Sequence, residues 1–354
     1  MRSRARLAGP IAALSAAVVL LSPTPYIVES PGPAIDVLGQ YRERDVLTVA
    51  EIRDDGLVDD PATGEGRLDL TTVMVGGPPI SQTAVGDVVS AVLDPTVDLR
   101  PRELVYPTGT SAEEVSAGNA AAMTSSQSLA TAAALNLLEI DFTAQLVVQG
   151  FTDDSAARDT LRADDVLLTA AGEQVRTVTG LKEILNDSDG QPVPMTVRRD
   201  GEETHLNVPV APAPDWSFDT WAIGAYLATD YEFPVDLDIA LEDIGGPSAG
   251  LMFTLAVVDR LSPGDLTGGL HVAGTGTVTD TGLVGPIGGI AQKVHGARAQ
   301  GAELFLAPRQ NCAELDGRVP EGIDAYGVDT VAQARDTIAA VAAGEQPDAV
   351  PRCG

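Results

Sequence analysis

Apolar positions crowd the start of the chain. Leu7 to Ser22 is almost entirely apolar and follows Arg2, Arg4 and Arg6. A positive end before an apolar run reads as a signal peptide or a short uncleaved anchor, with the arginines on the cytoplasmic side. Pro23 and Pro25 crowd the end of the run and leave a poor small-x-small cleavage site, which favours the anchor. Residues 1–28 are therefore expected to be a single membrane-anchoring segment, with Pro23–Val28 carrying it through the interface. No later stretch approaches roughly 18 apolar residues free of charge, so the remainder is expected outside the membrane.

Beyond that segment the pattern alternates between strand-like and helix-like periods. Val46–Arg53 and Leu68–Val75 are apolar and β-branched and predict strands, separated by an Asp-, Gly- and Pro-bearing loop, Asp54–Gly66. Ser111–Ile140 is Ala-rich, with Glu113 and Glu114 near its start. It predicts a helix, or a helix pair broken near Gly118. Leu146–Phe151 reads as a strand, Ser155–Leu161 as a short helix, and Met195–Val210 as a hairpin turning at Arg199–Glu202. Pro209, Pro212 and Pro214 mark a linker. Val235–Leu241 alternates like a half-buried strand and precedes an apolar helix from Leu251 to Leu261. His271–Pro308 predicts a strand, a turn at Asp280–Gly282, a Gly-rich loop, a helix bearing Lys293 and a buried strand. The fold class is α+β, with expected segments 29–140, 141–210 and 211–354 after the anchor.

Composition narrows the function. With 354 residues and roughly 150 per domain, about two domains are expected. A formal charge of −29 opposes phosphate backbones and argues against a nucleic-acid partner. The histidines His205, His271 and His295 lack metal-ligand spacing, and no metal or cofactor is expected. In an oxidising exterior, Cys312 and Cys353 either pair to tie the C-terminal tail to the body or are accidents of composition. Of the 22 basic residues only Lys182 and Lys293 are lysine. A buried lysine loses its proton far more readily than arginine, so a retained lysine is a candidate base.

Two segments carry candidate chemistry. Ser248 lies in Gly245-Gly246-Pro247-Ser248-Ala249-Gly250, at a strand–turn–helix junction. There its hydroxyl can attack a carbonyl while backbone N–H groups around Gly246 to Ser248 hold the oxyanion. The plainer alternative is that the serine only starts the helix. Lys293 sits near the apolar Ile290, Val294 and Ala297 at helical spacing, where it is either desolvated or a snorkelling surface lysine.

Taken together, GGPSAG and the later GPIGGIAQK resemble the Ser–Lys proteolytic domain of the Lon family. The resemblance implies Ser248 as nucleophile, Lys293 as general base and Thr275 as a residue orienting that lysine, with Gly246 supporting the oxyanion. Lon patterns carry Lys-Asp-Gly before Pro-Ser; Ile244-Gly245-Gly246 stands here instead. No G-x-x-x-x-G-K-[ST] loop occurs in the sequence, so an ATP-driven motor is not expected within it. Gln145–Val210 resembles a PDZ domain of bacterial envelope proteases, through Ser155-Ala156-Ala157, Leu161–Leu168, Ala171-Gly172 and Arg198–Gly201. Asp164 replaces a usual glycine, in a turn that aspartate tolerates. Strand addition of peptides is then expected at Leu146 and Val148. The whole chain resembles membrane-anchored, PDZ-containing Lon-like proteases. That implies an ATP-independent endopeptidase of the cell envelope with an extracytoplasmic catalytic part, protein or peptide substrates, and a homo-oligomeric ring. Gly66–Val75 and Met123–Gln127 resemble the family's early strand and helix, so residues 40–140 are expected to complete the catalytic fold around a PDZ insertion. The rival reading from another class is a catalytically inactive PDZ scaffold on a Lon-like fold.

Overall fold

The computed structural model of the chain describes residues 13–53, 64, 66–107, 109–213, 220–241 and 244–354. The first twelve residues of the expected anchor, most of the Asp54–Gly66 loop and Pro214 lie outside them. Residues 13–20 form helix α1. Among the described residues no helix is long and apolar enough to cross a membrane. The chain continues with β1 (Tyr26–Asp36), β2 (Leu47–Ile52), β3 (Arg67–Gly76), α2 (Val85–Leu93), β4 (Asp98–Pro101) and α3 (Ala112–Leu137). Next come β5 (Thr143–Phe151), β6 (Val166–Ala170), α4 (Val178–Asn186), β7 (Val193–Arg199), β8 (Glu202–Val208) and β9 (Ala225–Glu232). The last stretch holds β10 (Val235–Ile239), α5 (Gly250–Leu261), β11 (His271–Gly274), α6 (Ile290–Ala299), β12 (Leu304–Pro308), β13 (Asp324–Val328) and α7 (Val331–Ala342).

Met1–Ile140 and Val235–Gly354 form one compact unit, and Asp141–Pro234 forms a second. In the first unit the sheet order is β13-β12-β11-β3-β1-β4. Strand β11 runs parallel to both β3 and β12, whereas β1 is antiparallel to β3 and β4. Strands from before and after the second unit thus share one ladder, and β2 pairs with β10 as well. Parallel neighbours need a crossover, which α6 supplies between β11 and β12. Helix α5 is buried along nearly all its length, from Gly250 to Asp259; an apolar surface on every side leaves it no other stable place.

Helix α3 runs unbroken through Gly118 as one helix. Its start is fixed by a reciprocal cap: Glu114 N–H donates to Ser111 Oγ at 3.2 Å, and Ser111 N–H donates to the Glu114 carboxylate at 2.8 Å. Cys312 and Cys353 are joined by a disulfide. The tail it holds runs along β13, with Gly327 N–H donating to Pro351 O and Cys353 N–H to Ala325 O, both at 2.9 Å.

The second unit is an antiparallel sheet in the order β8-β7-β6-β5-β9. Asp200 (φ 53°) and Gly201 (φ 85°) turn the expected β7–β8 hairpin, and Asp164 takes the expected left-handed conformation at φ 69°. Three expectations change. Ser155–Leu161 is a set of turns with no regular helix. The expected boundary after residue 210 moves to Pro234, because β9 pairs along the whole of β5. Pro209 and Pro212 lie inside the unit and not between units, and Ala211-Pro212 pairs with Trp221-Ala222. Leu146 and Val148 are fully buried core residues of β5, and there β6 and β9 take both edges of the strand, so these two residues offer no edge for a peptide.

Candidate active site

Ser248 stands in a 3-10 turn, Pro247–Ala249, that feeds directly into α5. Gly246 enters the turn at φ 94°, ψ 159°, a region that side-chain-bearing residues avoid. The turn is fastened to α3 at two points. Gly246 N–H donates to Asn119 O at 3.0 Å, and Ser126 Oγ donates to Pro247 O at 3.1 Å. The first bond corrects the expected role of Gly246, whose amide is committed to α3 and is not an oxyanion donor. Pro247 has no N–H. The Ser248 N–H, at the start of the turn, is then the candidate donor.

Lys293 reaches the same point from α6. Gly296, one turn further along that helix, sits against β1 so closely that a Cβ there would lie 2.5 Å from Gly32 O. The missing side chain lets α6 settle onto the sheet. Lys293 is 3% exposed, and its Nζ donates to Ser248 Oγ at 2.8 Å and to Thr275 Oγ1 at 2.9 Å. Thr275, fully buried at the end of β11, donates its hydroxyl to Ser248 O at 2.9 Å. Burial without a facing carboxylate lowers the Lys293 pKa to about 7 from an ordinary 10.5. Segments 45 residues apart in sequence therefore meet as a hydroxyl–amine–hydroxyl cluster, with the amine half neutral near pH 7.

The cluster opens into a cleft of about 530 Å³. Leu70, Met74, Ile80, Met123 and Ile244 give it apolar walls, and Thr71–Val75 of β3 run along it. Pairing of β3 with β11 ends at Leu70 and Gly274, so Thr71–Val75 continue past the end of β11.

Residues 242–341 match the family model described as the Lon protease (S16) C-terminal proteolytic domain. The match contains Ser248, Thr275 and Lys293. Lon protease 1 of Herpetosiphon aurantiacus is 32% identical over 137 residues, 38% of this chain and 16% of that protein. Lon protease of Mycolicibacterium smegmatis is 36% identical over 95 residues, 27% of this chain and 12% of that protein. The chain thus spans less than a fifth of these relatives' length. The similarity supports a protease function and a serine peptidase of the S16 class. Among solved structures, the PDZ domain of the SdrC-like protein of Listeria monocytogenes aligns with 23% of this chain and 85% of its own, at 18% identity and a TM-score of 0.21. At that score the likeness fixes neither fold nor function.

Several residues around the Ser248, Lys293 and Thr275 cluster gave no sign in the sequence. Asn119 acts through its backbone oxygen, for which no side-chain signature exists. Ser126 lies in the segment resembling a family helix, but its bond to the nucleophile's turn spans 121 positions. Asn311, 2% exposed, grips Ile287 in the loop before α6. Its Oδ1 accepts the Ile287 N–H and its Nδ2 donates to the Ile287 carbonyl, both at 3.0 Å.

Proposed function

We propose that this chain is an ATP-independent endopeptidase of the cell envelope working through a Ser248–Lys293 dyad. The observation that carries the proposal is the 2.8 Å approach of Lys293 Nζ to Ser248 Oγ in a buried setting. The hydroxyl proton of Thr275 is committed to Ser248 O, so Thr275 Oγ1 can only accept from the lysine. A neutral amine therefore keeps one N–H on Thr275 and turns its lone pair toward the Ser248 hydroxyl. Lys293 takes that proton as Ser248 Oγ attacks the peptide carbonyl. The Ser248 N–H supports the developing oxyanion. The protonated lysine then hands its proton to the leaving amine; Lys293, neutral again, takes a proton from the water that attacks the acyl-enzyme and returns it to Ser248 Oγ as the acyl group leaves. An extended substrate fits as an added strand beside Thr71–Val75, with apolar side chains in the cleft.

The apolar segment before Ser22 anchors the chain in the membrane, with the catalytic unit outside. Peptide capture by the second unit falls to β9, the end strand of its sheet, and not to β5. Peptide binding should protect backbone amides of Ala225–Glu232 from hydrogen exchange and leave those of Thr143–Phe151 unchanged.

The test of the dyad is digestion of an unfolded protein without ATP by the full chain, beside Ser248→Ala and Lys293→Ala. Loss of cleavage in both variants, with covalent labelling of Ser248 by a serine-reactive probe in the wild type, supports the mechanism. A folded wild type that neither cuts nor labels refutes it in favour of an inactive scaffold.

A further inference from the structure

Large apolar side chains are exposed on the elements joined to the end of the N-terminal apolar run. Helix α2 presents Val89, Val92 and Leu93, spaced three and four apart and so on one face, with Val92 72% and Leu93 79% exposed. The short turn Arg102–Leu104 presents Leu104, 71% exposed. Both elements are fastened to the exit of the apolar run. Val85 N–H donates to Ser22 O at 2.9 Å, Gly86 lies against Leu20, and Pro23-Thr24 pairs with Thr83-Ala84 just ahead of α2. Arg102 N–H donates to Pro25 O at 3.0 Å. Helix α1 leads into the same point with Leu14 and Val18 exposed, and Leu21 just after it is exposed as well.

We infer that the apolar face of α2, Val89, Val92 and Leu93, together with Leu104 of the neighbouring turn, docks on the phospholipid bilayer at the boundary between headgroups and acyl chains. This rests on the membrane-anchor reading. With Leu7–Ser22 in lipid, the bonds Val85 N–H to Ser22 O and Arg102 N–H to Pro25 O hold the start of α2 and the start of the Arg102–Leu104 turn beside the point at which the chain leaves the apolar layer. A nine-residue helix with one apolar face lies flat at such a boundary. A second copy of the chain would bury the same face, but lipid is the partner that the tether brings to it. Docking fixes the catalytic unit against the membrane surface instead of leaving it on a loose stalk.

The test uses the full chain reconstituted in phosphatidylcholine vesicles. Cys312 and Cys353 are bonded to each other, so under non-reducing conditions Val92→Cys, Leu93→Cys and a control Leu283→Cys each take one environment-sensitive fluorophore. Docking predicts a blue shift at positions 92 and 93 and quenching there by lipids brominated high on the acyl chain, with neither at 283. Vesicle-bound protein whose probes at 92 and 93 stay in water overturns the docking and leaves the anchor standing. A blue shift that brominated lipids do not quench assigns the face to a second copy and also overturns it. Protein that fails to float with vesicles overturns the anchor, and the docking falls with it.

Discussion

Lys293→Met is expected to abolish cleavage and, at neutral or lower pH, to make the catalytic unit more stable. Lys293 is charged in the unfolded chain below its ordinary pKa of 10.5, whereas burial lowers the folded value to about 7. Across that interval the unfolded chain binds more protons, so wild-type stability rises with pH from about 7 to 10.5 and is penalised in full below about 7. At about 1.4 kcal/mol per pKa unit the full penalty is roughly 5 kcal/mol. Methionine fills a similar volume without charge, but Ser248 Oγ and Thr275 Oγ1 lose their bonds to Nζ, an offset of about 1–2 kcal/mol. The net gain is about 3 kcal/mol near pH 6, shrinking and then changing sign as pH nears 10.5. Guanidinium unfolding of wild type and variant across that range, followed by hydrogen exchange in α6, measures it. A stability difference that does not change with pH, or a wild type more stable at pH 6, would refute the claim that an uncompensated buried amine sits in the site.

Three further outcomes follow from the same geometry. The base must be neutral to act, so kcat/KM should rise with pH through about 7 and level off above it; a flat profile there would remove Lys293 from the role of base. Thr275→Val keeps the shape but removes the acceptor that holds one Nζ hydrogen, and should lower kcat roughly 10- to 100-fold with little change in KM, the range for one hydrogen bond to a charged group. Gly296→Ala puts a methyl 2.5 Å from Gly32 O and should push α6 off the sheet, costing roughly 1–3 kcal/mol in thermal unfolding together with activity; an unchanged kcat would show that Lys293 does not need α6 seated.

Sequence alone determined the features whose cause is local. Ser111 and Glu114 cap α3 because both partners lie within one turn. Arg199–Glu202 makes a hairpin because Asp and Gly accept positive φ. The Pro-Ser-Ala-Gly turn and the Lys293 helix were legible as chemistry only through their joint resemblance to the Lon family, since each alone also reads as a helix start or a surface lysine. Misreadings came where local punctuation and long-range pairing disagree. Three prolines after Val208 look like a linker, yet β9 lies beyond them and completes the sheet by pairing with β5. Leu146 and Val148 look like a peptide-binding strand, because an apolar strand reads alike whether its neighbour is a ligand or the chain itself.

Tertiary structure decided what depends on groups brought from far along the chain. The amide of Gly246 is lost to the oxyanion because Asn119, in a helix more than a hundred residues earlier, takes it. The lowered pKa of Lys293 comes from burial by the sheet and α6 packing, which composition does not encode. Sequence supplies a serine and a lysine; whether they stand 2.8 Å apart with the amine buried depends on how two distant halves of the chain close one sheet.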